Sequence, residues 1–146
     1  MYLKRLFFIL LITFASFTWL MSETKSQKTF SFYETHWKLV HLLSHEINAS
    51  GLSREAHIIF TPHQEITGNF HGATGCNEML GKYESTEQNL SIDTKHIAMT
   101  RMACPDMGLE MTFLKTLANV MQWEIENHTL FLRDANQSVI ATFEAE

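Results

Sequence analysis

Cys76 and Cys104 are the only two cysteines among the 146 residues, and a bond between them would dictate how the middle of the chain folds. Disulfides persist outside the reducing cytosol and are rare within it, so the compartment decides. The N-terminus bears on this. Met1-Tyr2-Leu3-Lys4-Arg5 is a short basic stretch, followed by sixteen uncharged, mostly apolar residues from Leu6 to Met21. As a helix that run would reach about 24 Å, short of the roughly 30 Å of a bilayer's hydrocarbon core. A basic start, a short apolar run and a polar exit form the pattern of a secretory signal peptide, assigned here to residues 1–22. Leu20-Met21-Ser22 and Thr24-Lys25-Ser26 each offer a small residue at the cleavage position, and neither is well marked. An uncleaved membrane anchor is therefore the alternative, and an ordinary buried helix the plainer one. The expected location is periplasmic or secreted. There, an even cysteine count favours a disulfide. Closing a loop of about 28 residues would contribute roughly 3–4 kcal/mol through chain entropy, less any strain. Two free buried thiols are the alternative, and the absence of a CxxC arrangement argues against a thioredoxin-like redox role.

Charge narrows the partners. The whole chain carries −5 with neutral histidine, and residues 1–22 hold Lys4 and Arg5 but no acid. The exported remainder thus has two positive charges fewer, for a net −7. No Lys/Arg stripe is present to neutralise phosphates, which excludes nucleic acid as the expected partner. An acidic domain is also not drawn to anionic lipid, so membrane contact is expected only if the N-terminal segment stays uncleaved. With 45% hydrophobic and 18% charged residues, the chain can pack a core of its own as a single domain.

Residues 23–34 are polar and weakly patterned. They read as a flexible lead-in, with Phe30, Phe32 and Tyr33 docking at its end. From residue 35 to 146 the pattern is that of one domain built from short strands. Trp37, Leu39, His41 and Leu43 fall on one face of a first strand, with Val40 and Leu42 on the other. His57–Phe60, Glu65–Phe70, Leu80–Tyr83, Leu90–Ile92 and His96–Met99 follow as strand-like runs. After Cys104-Pro105, Asp106 is a candidate N-cap. Glu110 suits the positive end of a helix dipole, and Leu109, Phe113, Leu117, Val120 and Met121 form an amphipathic stripe. The plain reading of that stripe is core packing. Gln122–Glu126, Thr129–Arg133 and Ser138–Phe143 then read as a meander, turning at Asn127-His128 and Asp134–Gln137. About eight short strands with one helix predict an α+β fold: a curled antiparallel sheet, partly barrel-like, packed on a single α-helix.

Four of the six glycines, Gly68, Gly72, Gly75 and Gly81, crowd into residues 68–84. Gly72-Ala73-Thr74-Gly75-Cys76-Asn77 lacks the lysine of a phosphate-cradling loop and opens no helix. Tight turning between strands, with Asn77 bonding local backbone, is the physical reading. Several spaced signatures occur here in order. Gly75-Cys76-Asn77 and Gly81-x-Tyr83 come first, then Met99-Thr100-Arg101-Met102-Ala103-Cys104, then Glu110-x-x-Phe113-x-x-x-Leu117. Trp37-Lys38-Leu39 precedes them and Leu130-x-Leu132 follows. The ordered set resembles the META/HslJ domain family over roughly residues 35–144. The resemblance implies a compact β-rich domain with one helix, found mostly in bacterial envelope proteins tied to heat shock, envelope stress and drug tolerance. It implies no enzymatic activity or cofactor, and it places Cys76 and Cys104 at the family's paired cysteine positions. Gly75, Asn77, Gly81, Tyr83, Thr100, Met102, Glu110, Phe113 and Leu117 would be structural motif residues. Many members carry a lipid-accepting cysteine after the apolar segment. None lies within residues 1–75 here, so lipid anchoring by that route is not expected.

Catalytic patterns are sparse. The eight histidines are scattered, and His41-x-x-x-His45-Glu46 would seat a metal only on a helix. On a strand the two rings stand about 13 Å apart at 3.3 Å per residue, too far to share an ion. Surface histidines are thus the expectation, with no metal and no cofactor. No G-x-S-x-G elbow and no paired acids appear. The sequence predicts a non-catalytic exported envelope protein that supports stress or drug tolerance through binding to an unknown envelope protein. The alternative is a small-ligand or lipid-binding module with an apolar cavity, which would show a continuous apolar pocket beside the helix.

Overall fold

The strands arise where β-branched and aromatic residues alternate with polar ones, and their inward halves converge on one core. In a computed structural model, residues 29–104 and 107–146 are described; the expected signal segment 1–22 and the candidate cap Asp106 lie outside them. Among the described residues ten strands form: β1 (Trp37–Leu42), β2 (His45–Glu46), β3 (Ala56–Pro62), β4 (Thr67–Thr74) and β5 (Glu78–Thr86), then β6 (Asn89–Ile92), β7 (Ala98–Met99), β8 (Gln122–Glu126), β9 (Thr129–Arg133) and β10 (Val139–Ala145). Helix α1 (Gly108–Leu117) sits between β7 and β8. The sheet runs β10-β9-β8-β6-β5-β4-β3-β1, and β10 pairs back onto β1 to close it. Eight antiparallel strands therefore make a barrel-like ring, with β2 and β7 as short flaps on β1 and β5. The expected curled sheet on one helix is what the chain forms.

The ring is filled. Trp37, Ile58, Phe60, Phe70, Phe113, Leu117, Leu130, Leu132 and Phe143 have no exposed surface. Helix α1 packs on the ends of β1 and β4, where its Phe113 ring meets Phe143 with centroids 6.1 Å apart. At the far end of β4 the ring is completed by a residue of the lead-in. Phe32 stacks between Phe60 and Trp123, at 4.4 and 4.3 Å, with Tyr83 edge-on. Its carbonyl accepts the Trp37 indole N–H at 3.0 Å. Closure is thinnest there, because β6 and β8 share a single register pair, Asn89 with Gln122.

Three expectations need correction. The faces of β1 do not alternate throughout. A bulge between Leu39 and His41, against Phe143 and Thr142, shifts the phase, so Leu42 turns inward while His41 and Leu43 face solvent. The helical stripe also ends early. Val120 is buried, but beyond the helix in the turn to β8, and Met121 is 53% exposed. The helix starts at Gly108, with Met107 as its N-cap residue and no side-chain capping bond. Finally, only Gly75 sits in a turn, with φ +94°, a conformation that disfavours side chains. Gly68 and Gly72 lie within β4 and Gly81 within β5, so these three are not turn residues. Gly81 pairs with Phe70, whose ring would meet an added Cβ at 2.5 Å; the glycine provides the space the ring occupies.

Candidate functional site

The motif residues gather where the β4–β5 turn meets the segment entering α1. Cys76 and Cys104 are joined by a disulfide, with Cα atoms 6.1 Å apart. Beside it Asn77, buried, ties three segments together. Its side-chain oxygen accepts from Thr100 Oγ1 at 2.9 Å and from the Met102 backbone N–H at 2.7 Å. Its amide nitrogen donates to Glu110 Oε2 at 3.0 Å. Glu110 is buried as well, and the same oxygen accepts the Thr74 hydroxyl at 2.6 Å. A buried carboxylate is tolerated only when bonded, and here a hydroxyl and an amide supply the bonds. Thr100 extends the link by accepting the Glu78 N–H at 3.0 Å.

The structure thus brings together Gly75, Cys76, Asn77, Thr100, Met102, Cys104 and Glu110. Met102 contributes its backbone to this cluster; the residue is exposed and its sulfur accepts from Arg54 at 3.7 Å. Gly81 and Tyr83 lie elsewhere along β5 as cross-strand packing partners of Phe70 and Gly68. Phe113 and Leu117 form the buried face of α1. Sequence reasoning missed Thr74, which looks like any strand threonine until its hydroxyl is seen to face Glu110. This cluster is built to hold structure. Its two sulfurs are bonded to each other and its carboxylate is enclosed among neutral donors.

Another group of side chains, far apart in the sequence, assembles on the outer face. Trp37 and Ile58 are register partners pointing inward, so the flanking His36, Lys38 and His57 point outward, joined by Glu55. His36 Nε2 and Glu55 Oε1 are 2.9 Å apart, and Lys38 Nζ lies 2.9 Å from Glu55 Oε2. The His36 and His57 rings stack with centroids 4.2 Å apart. By contrast, His41 and His45 sit exposed on β1 and β2.

The META domain family model matches residues 29–146. This chain belongs to the META domain family. The match begins before residue 35 and so takes in Phe32, whose ring completes the core of this META domain. No curated protein gives a significant match. A protein from Burkholderia xenovorans, whose structure was solved by NMR, is similar in fold, with a TM-score of 0.60 and 19% identity. The similarity covers 87% of the present chain and 96% of the other.

Proposed function

We propose that this META domain is a non-catalytic exported protein that supports envelope stress or drug tolerance by binding an envelope component through the outer face of its sheet. One observation carries the reading: the interior of the ring is occupied by large side chains, so recognition falls to the surface. The groove beside the start of α1 is lined by Asn77, Ile97, Thr100, Arg101 and Met107, mixed in polarity and open to solvent. That supports surface binding over the alternative of an enclosed apolar cavity. On β5 the outward Leu80 is 54% exposed, in a groove of about 550 Å³ shared with His71, Glu78 and Met99. The Cys76–Cys104 bond supports an oxidising compartment.

The test is made in intact cells. Full-length protein is expected in the exported fraction, shortened near residue 22 and with both thiols resistant to alkylation until reduced. A photo-cross-linker at Leu80 is expected to capture a discrete envelope partner, and one placed inward at Leu130 to capture none. Recovery in the cytosol with reduced thiols would overturn the reading, as would saturable binding of a small apolar ligand within the ring.

A further inference from the structure

The pairing of β1 with β3 brings three metal-competent side chains together. His36 precedes β1 and Glu55 precedes β3, while His57 lies in β3; the β1–β3 register puts all three on the outside of the ring. One donor atom from each lies within 4.8 Å of the other two. We propose that His36, Glu55 and His57 bind a late first-row divalent transition ion, of the zinc, nickel or copper type.

The geometry favours this chemistry in four ways. His57 Nδ1 lies 3.2 Å from the Glu55 carbonyl oxygen, and donating there fixes the tautomer that leaves Nε2 as a ligand. That backbone bond is the outer support metal-binding histidines commonly have. The close His36–Glu55 pair offers a nitrogen and an oxygen at 2.9 Å, which an ion can occupy in place of the shared proton. Ligand bonds of about 2.0–2.2 Å in a tetrahedron place donors roughly 3.3 Å apart, so this pair opens slightly and the stacked imidazoles rotate to converge. Two imidazoles with one carboxylate select transition ions over calcium or magnesium. Lastly, His36 and Glu55 side chains are each 34% exposed, enough for an ion to enter and keep water in its remaining positions.

Burial lowers the pKa of His57, against the backbone bond to Glu55, which raises it. Burial opposes the charge on Glu55, but bonds from Lys38 and His36 outweigh it and hold the carboxyl below its usual range. Lys38 is the competitor, since its ammonium holds the second Glu55 oxygen. It also pairs with Glu146 at 2.8 Å, where it can remain once an ion takes Glu55.

The test is titration of the purified full chain with Zn²⁺, Ni²⁺ and Cu²⁺ against a competing chelator. One ion per chain is expected, with copper bound most tightly. His36→Ala, His57→Ala and Glu55→Gln should each weaken binding about tenfold or more, Glu55→Gln being nearly isosteric and least able to disturb folding. Lys38→Gln should tighten it several-fold. The exposed pair His41→Ala/His45→Ala should leave it unchanged. Absence of saturable one-to-one binding would overturn the proposal. So would a stoichiometric site that survives loss of His36 and His57, or one lost only with His41 and His45.

Discussion

The two ends of the ring are closed by different physics. At the α1 end, a disulfide and the Thr74–Asn77–Glu110 bonds hold a turn, a loop and a helix in one arrangement. At the other, Phe32, Phe60, Trp123 and Tyr83 stack and wedge, beside strands β6 and β8 that share one register pair. Directional bonds fix geometry, and a covalent one also restricts the unfolded chain; aromatic packing supplies burial energy but tolerates repacking. The α1 end should therefore be the more rigid of the two, even where its single residues contribute less.

Removing the wedge is expected to have the largest effect. Phe32→Ala should destabilise the domain by about 3–5 kcal/mol. Amide exchange should accelerate first at Leu90 and Trp123, the donors flanking the β6–β8 pair. A loss below about 1 kcal/mol would mean the stack can collapse onto the gap. The opposite end is tested by replacing both Cys76 and Cys104 with serine. The expected loss is about 2–5 kcal/mol in chemical denaturation, with exchange rising at α1 and not at the seam. Equal protection at both ends before and after would erase the contrast.

Glu110→Ala comes next. It leaves one Asn77 donor unsatisfied in a buried place, at a cost of about 1–3 kcal/mol if water cannot enter, while the Thr74 hydroxyl keeps the Asn77 carbonyl as acceptor at 3.1 Å. Glu110→Gln should lose less, because the amide oxygen still accepts from both. If the two variants unfold at the same denaturant concentration, the oxygen is not what the site needs.

How far the sequence exposed these arrangements depended on whether the controlling contact was local. Strands β8 and β9 match the alternation of Gln122–Glu126 and Thr129–Arg133 to the residue, and their turn passes through Asn127 at φ 57°. The faces of β1 were half readable, because a bulge is set by its partner β10 and leaves no mark in the hydrophobic pattern. Val120 continued the helical spacing and is buried, yet burial by a turn looks the same as burial by a helix. Gly68 and Gly81 read as turns because their aromatic partners, Tyr83 and Phe70, are known only once the register is fixed. The outward trio was illegible for that reason too: nineteen positions separate His36 from Glu55, and only the β1–β3 pairing brings them together. The cysteine pair stood out because two thiols in a chain expected to be exported have few alternatives.

The smallest expected effect bears on a flaw in the aromatic end. The Tyr83 hydroxyl is buried without a hydrogen-bond partner among the described residues. It lies directly against Gly68, in the space an added Cβ there would need. Burial, aided by the nearby Tyr33 and Glu34, pushes its pKa up to about 12, so the phenol stays neutral across the physiological range. A buried neutral hydroxyl without a partner costs desolvation and returns nothing, while its ring still packs on Phe32 and Phe60. Tyr83→Phe keeps that ring and removes the orphaned group. Thermal unfolding should then show no loss, or a gain of up to about 1 kcal/mol. A clear destabilisation would mean that the hydroxyl is bonded in solution, and the aromatic end would then share the directional character assigned here to its opposite.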